Sequence, residues 1–317
     1  MSTWQLPEGI DELTGDRALA FESLRRSLLD LYIDQGYELV IPPMAENIES
    51  LLLTSDSVDE KTFKFLDPAS GKMLGVHADI TPQIARIDAK KNTTDIQKYC
   101  YINAILQTKA DDFYASRSPI QAGAELYGTA NIDADIEMIQ LMLSSLQLLN
   151  IKPVVLSLGN VGIFNTLIEL EDITSVCASQ LRQIFVKRSL PDLEDFLSNN
   201  TLVNSEIFRV LMQLEGELEV LDTALDVFKD IKPIYQKIQD LVQISQQLNL
   251  DETQIVIDLA ELKAYEYHSG LVFSAYNEDY SKAIAQGGRY NSLSESFGHS
   301  RAATGFSFDL KFLSQSK

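Results

Sequence analysis

The order of apolar segments along this chain predicts an α+β core interrupted by a helical insertion. Three observations carry that reading. Short runs rich in β-branched and aromatic residues alternate with helically spaced segments over the first 160 residues. From 161 to 249 the strand-like alternation disappears, and apolar residues recur at three and four, as in Ile234, Ile238, Leu241 and Leu248. The β pattern then returns at Ile255 and runs to the end. No internal repeat is visible, and the predicted domains are a core of 1–160 with 250–317 and a helical subdomain of 161–249.

Asp16, or Asp11 further back, caps a predicted helix over 17–35, with Phe21, Leu24, Leu28 and Leu31 at helical spacing and Gly36 as its stop. Residues 37–41 read as a strand ended by Pro42-Pro43, with Glu46 after the turn. A loop with Phe63 and Phe65 spans 57–68, and 72–76 form a strand. A helix then starts at Pro82, with Thr81 as its cap. Residues 97–108 suit a buried strand and 109–118 a polar loop with Asp111, Asp112, Tyr114 and Arg117. The stretch 119–128 returns as a strand whose Gln121 and Glu125, four apart, share one face. A buried acid and amide on one face need partners, in the protein or on a ligand.

Residues 135–149 read as a helix and 153–158 as a strand, stopped by Gly159-Asn160. Pro191 and Pro233 punctuate the insertion into several helices, with Glu215, Glu217, Glu219 and Asp222 on its solvent side. The strands 255–259 and 271–276 then bracket Lys263, Tyr265, Glu266, Tyr267, His268, Ser269 and Gly270. So many hydrogen-bonding groups fit a small zwitterionic ligand, with a carboxylate at Lys263, an ammonium at Glu266 or another acid, and a flat ring against Tyr267. A hairpin with an ordinary polar connection fits the same residues. Gly287-Gly288-Arg289-Tyr290, a polar helical stretch and a final segment over 302–311 complete the chain.

Bulk properties narrow the function. The 317 residues carry 26 Lys and Arg against 46 Asp and Glu, a formal net charge of −20. Nucleic-acid binding draws its affinity from basic residues that neutralise phosphates, and Arg25-Arg26 and Lys90-Lys91 are only short solvated groupings. The balance argues against a tRNA partner. With no apolar run of about 18 residues and no secretory signal at the start, the reading is a cytoplasmic protein without a membrane span. Cys100 and Cys177 lack a Cys-x-x-Cys spacing and there are three histidines in all, so no metal site is expected.

The order of these pieces resembles the catalytic core of a class II aminoacyl-tRNA synthetase, specifically the histidine enzyme. Pro43 resembles the motif 1 proline at the dimer interface. His77-Ala78-Asp79-Ile80-Thr81-Pro82 resembles the Arg-Pro-Glu-x-Thr block, 97–128 resembles motif 2 with its loop, and 263–270 lies where the family has Arg-Gly-Leu-Asp-Tyr-Tyr-x-Gly. Gly287-Gly288-Arg289-Tyr290 matches a Gly-Gly-Arg-Tyr segment, and 305–311 lies where motif 3 belongs. The likeness spans 6–312 and implies a mixed, mainly antiparallel sheet flanked by helices.

The departures from that family point to its role. Gln107 stands for the motif 2 arginine and Lys311 for the motif 3 arginine, while Lys109 replaces an acid and Ser307 a glycine. His77 and Lys263 replace two further arginines. Neither glutamine nor lysine reproduces the bidentate grip of arginine on phosphate, on which adenylate formation relies. The sequence also leaves no room for an anticodon-binding domain. This combination is similar to the regulatory subunits of ATP phosphoribosyltransferase, synthetase-like paralogues that do no chemistry of their own.

That resemblance implies several things. The chain has no catalytic residue and no cofactor, and it pairs with itself and with a short catalytic subunit in a hetero-octamer. L-histidine is its effector. The histidine-binding residues implied are Asp79, Thr81 and Gln121 at the ammonium, Glu125 and Tyr267 around the imidazole, and Gln107 and Lys263 near the carboxylate. His268 stands where the family has a second tyrosine. The competing readings are an adenylating enzyme and a scaffold without a ligand.

Overall fold

The computed structural model describes residues 4–52, 56–110, 115–200, 202–248, 253–262, 267–291, 293–298 and 300–315. The chain divides into two compact units: Met1–Ala130 with Glu137–Ile151 and Asn291–Lys317, and Asn131–Ile136 with Lys152–Tyr290.

In the first unit the strands Glu38–Leu39, Gln97–Ala104, Ile120–Tyr127 and Ala303–Asp309 lie side by side in that order. The first pair is parallel and the other two antiparallel. Helix Gly15–Asp34 buries Phe21, Leu28 and Tyr32, and the Tyr32 ring meets Phe306 edge-on at 6.3 Å. Burial follows 21, 28 and 32 rather than the expected 21, 24, 28 and 31, because the stripe on this side ends on the aromatic ring. The helix is entered at Thr14, whose side chain makes no cap bond. Asp16 lies in the first turn, where a carboxylate suits the helix dipole, and Asp11 reaches elsewhere. Gly36 ends the helix at a φ of 83°, a conformation glycine adopts without strain.

Pairing after that helix is limited to two residues, Glu38–Leu39, because Pro42 and Pro43 offer no N–H to a ladder. A second, three-stranded antiparallel sheet follows, with Met73–Val76 between Ala45–Asn47 and Phe63–Leu66. The expected loop over 57–68 is thus largely helix Asp56–Lys61 and strand Phe63–Leu66. Phe63 and Phe65 flank Lys64 in a period-two pattern, and the Asp67 carboxylate closes the turn by accepting the Ala69 and Ser70 N–H groups at 3.1 Å each.

In the second unit the strands run Ala285–Arg289, Leu271–Tyr276, Val154–Asn160, Thr253–Asp258 and Glu215–Gly216. Strand Leu271–Tyr276 is antiparallel to Val154–Asn160, which is parallel to Thr253–Asp258. The hairpin reading therefore fails: the two strands around 259–270 flank a third instead of pairing with each other. From Val161 to Gln247 the described residues are mainly helical. Side chains of Asn160, Thr174 and Ser189 cap three of the helices, and Pro191 and Pro233 sit in first turns. Ile234, Ile238, Leu241 and Leu248 are buried, whereas Glu215, Glu217, Glu219 and Asp222 are exposed. Among the described residues a short strand, Glu215–Gly216, interrupts the helices and pairs with Ile257 and Asp258. The expected helix after Tyr290 is only the short 3-10 segment Ser294–Phe297.

Candidate functional site

The site of the first unit is built on two adjacent antiparallel strands and the start of one helix. Period-two alternation puts Gln121, Gly123 and Glu125 on one face of Ile120–Tyr127. Across the ladder Glu125 lies opposite Gly305, and Gly123 opposite Ser307. Gly305 leaves the space that the acid occupies, since a Cβ there would stand 1.6 Å from Glu125 Oε2. Helix Thr81–Lys91 begins beside this face.

One buried hydrogen-bond network joins the two. The Thr81 hydroxyl donates to Glu125 Oε1 at 2.8 Å and Tyr101 donates to the same oxygen at 3.1 Å. Gln121 accepts the Ile80 N–H at 3.0 Å. Its amide donates to Asp79 Oδ1 at 2.9 Å and to Ser307 at 3.1 Å. The Thr81 N–H also reaches Asp79, at 3.3 Å. Glu125 is 1% exposed and Asp79 8%, so two carboxylates share a small volume shielded from water. A ligand ammonium at Asp79, or an imidazole N–H at Glu125, would make charge-assisted hydrogen bonds, which are about twice as strong as neutral ones. Thr81 therefore serves Glu125 instead of capping its helix, which is entered at Ile80.

Gln107 lies at the edge of this network. Its side chain donates to the Ala78 carbonyl at 3.1 Å, and its main chain exchanges hydrogen bonds with Arg117. Lys311 is 5% exposed. Its ammonium donates to Asp11 at 2.9 Å and to the Ser118 hydroxyl at 3.2 Å, as well as to the Ser118 carbonyl. Partial burial raises the Asp11 carboxyl, but hydrogen bonds from Ser116 and Lys311 and the Lys311 charge bring it below the ordinary carboxylate range. The two residues at the family's phosphate-holding positions are thus engaged within the protein's own framework.

Of the remaining expected residues, Tyr267 and His268 lie in the second unit. Their rings form a buried cluster with Tyr290, at centroid distances of 5.3, 5.7 and 6.3 Å. Burial pushes the His268 imidazole down to about 3, so the ring is neutral at pH 7. The same unit holds the buried pair of Arg289 with Asp135 at 2.7 Å. Lys263, Tyr265 and Glu266 lie outside the described residues, as do Asp111, Asp112 and Tyr114 of the loop after motif 2. Sequence reasoning missed Tyr101 as a donor to Glu125, although two residues of strand register place it on that face. Ser307 was legible only as a departure from glycine.

Among the described residues no group of His, Cys, Asp or Glu is placed to hold a metal, and no helix is long and apolar enough to cross a membrane.

Comparison with known proteins agrees with this architecture. A family model described as histidyl-tRNA synthetase matches residues 9–313. The ATP phosphoribosyltransferase regulatory subunit of Paraburkholderia xenovorans is 41% identical over 98% of this chain and 81% of its own length. That of Thiobacillus denitrificans is 40% identical over 99% of this chain and 98% of its own. Among solved structures, an ATP phosphoribosyltransferase regulatory subunit/histidyl-tRNA synthetase from Bacillus halodurans superposes with a TM-score of 0.84 at 20% identity, covering 100% of this chain and 84% of that one. The histidyl-tRNA synthetase of a Nostoc species gives 0.82 at 16% identity, with 99% and 75% covered. These structures share the class II synthetase fold. With two fifths of its residues identical over nearly its whole length, the chain belongs to the ATP phosphoribosyltransferase regulatory subunit family, on the histidyl-tRNA synthetase fold.

Proposed function

We propose that this chain is the non-catalytic, histidine-sensing partner of the short catalytic subunit of ATP phosphoribosyltransferase. It activates the first step of histidine biosynthesis and relays inhibition by the end product. The observation that carries the reading is the contrast inside the first unit. Asp79, Thr81 and Gln121 are joined in a buried network suited to an ammonium, with Glu125 beside them for the imidazole, while Gln107 and Lys311 are held by Ala78, Asp11 and Ser118. Amino-acid recognition is kept where the means to hold a triphosphate is missing. The resemblance adds Tyr267 at the imidazole, His268 where the family has a second tyrosine, and Gln107 and Lys263 near the carboxylate, each to be tested by its own substitution.

Histidine can inhibit through this subunit only if it binds the inactive assembly more tightly than the active one. The assembly proposed is a self-dimer through the Pro43 region, joined to catalytic subunits in a hetero-octamer, with the 161–249 helical region as the contact surface for the catalytic chain. A cytoplasmic setting suits its two free cysteines. A direct test mixes this chain with the short catalytic subunit and follows condensation of ATP with phosphoribosyl pyrophosphate. The expected result is activation on mixing and its reversal by L-histidine. Activation without reversal would leave only the partner role, and no activation would remove both.

A further inference from the structure

We propose that Gln83 is a positioning residue that couples Asp79 to the surface segment 41–46, so that an ammonium ligand at Asp79 alters the dynamics of that segment. The inference rests on the reading of the Asp79 network as the histidine site. It goes further by naming an element through which occupancy of the site is passed on.

Gln83 is 1% exposed, and its amide has one orientation. The NH2 group donates to the Pro43 carbonyl at 2.9 Å and to Glu46 Oε1 at 2.8 Å, neither of which can donate in return. The side-chain oxygen therefore faces His77 Nδ1, at 2.5 Å. His77 is fully buried. Its other ring nitrogen lies 2.7 Å from the Ala104 carbonyl, and its main-chain N–H donates to Met44 O at 3.1 Å. Asn103 holds the Pro42 carbonyl at 3.4 Å, and Arg86 grips Glu46 through two nitrogens, at 2.5 and 3.0 Å.

Three consecutive carbonyls, at 42, 43 and 44, are thus held from inside by groups next to the site, while the Ile41 and Met44 side chains are 75% and 61% exposed. Asp79 follows His77 by two residues, beside the fully buried Ile80 and, one turn into the helix, the fully buried Ile84. A pull on Asp79 cannot be absorbed locally by a close-packed interior. It is passed to His77, Gln83, the 42–44 carbonyls and the Glu46 side chain. By linkage, whatever orders 41–46 from outside alters the affinity at Asp79 by the same factor.

The test is hydrogen–deuterium exchange of the full chain with and without saturating L-histidine, for the wild type and Gln83→Met. In the wild type, histidine is expected to slow exchange in 77–83 and, by about fivefold or more, at the amides of 44–47. In Gln83→Met the first effect should persist and the second shrink by about threefold or more, the His77–Met44 hydrogen bond remaining, with histidine affinity kept within about threefold, since coupling through a residue is separable from contact with the ligand. A merely structural Gln83 would speed exchange with and without histidine alike, keep the ligand-dependent ratio, and overturn the inference. Protection of 77–83 without 44–47 in the wild type would also overturn it, whether or not the variant folds. Absence of any histidine binding would overturn the site reading and this inference together.

Discussion

Two sets of residues in the first unit are held in different ways. At the positions aligned with the synthetase's amino-acid site, Asp79, Thr81, Gln121 and Glu125 bond to one another in a buried network. At the positions of its phosphate-holding arginines, Gln107 bonds to the Ala78 carbonyl beside that network and Lys311 to Asp11 and Ser118. Gly305 leaves the space that the Glu125 side chain occupies, while Lys311 fastens the N-terminal segment. If the proposed site binds histidine, recognition and chemistry are separable on this fold.

The most severe way to break the contrast is to remove a carboxylate. Glu125→Ala is expected to weaken histidine binding by about 100-fold or more, the scale of losing one partner of a buried charge pair. Calorimetric titration reads it, and unchanged affinity would take Glu125 out of the site. Gly305→Ala attacks the same acid through space alone. With its Cβ 1.6 Å from Glu125 Oε2, it should displace the side chain, lower stability by about 1–3 kcal/mol as overpacked cores do, and weaken histidine binding by at least tenfold. Denaturant unfolding and titration separate the two effects. Thr81→Val removes one donor to Glu125 and should weaken binding by about tenfold, the upper range for one hydrogen bond.

Substitution at Lys311 should leave binding alone. Lys311→Met is expected to keep histidine affinity within about twofold while lowering the melting temperature by roughly 2–4 °C, the shift for about 1 kcal/mol in a chain of this size. The Asp11 contact adds a pH signature. A carboxyl held below its ordinary range in the folded state stabilises above its unfolded value, and that stability is lost as pH falls through the folded value. Acid unfolding below about pH 4 should therefore be shallower in Asp11→Asn than in the wild type.

How far this site could be read from the chain depends on distance along it. Gln121 and Glu125 share a face by the two-residue period alone, and that was legible. Their partners at 79 and 81 lie about 40 residues away, and only the resemblance brought them together. Thr81 shows why local rules fail here. Ahead of Pro82 it looks like a cap, but a buried carboxylate is a stronger claim on its hydroxyl than the helix end. Strand Phe63–Leu66 was missed because four residues give too little pattern to separate from a loop. The apparent hairpin around 259–270 was misread because strand Val154–Asn160, a hundred residues earlier, sits between its two arms. The engagement of Gln107 with a main-chain carbonyl has no sequence signal at all.

The central claim, that recognition outlasted chemistry, is tested most directly by one titration of the intact chain with L-histidine and with ATP, followed by histidine-dependent ATP–pyrophosphate exchange. Saturable binding of histidine, none of ATP and no exchange is the expected result. ATP binding with exchange would contradict it, because Gln107 and Lys311 would then be holding phosphates after all.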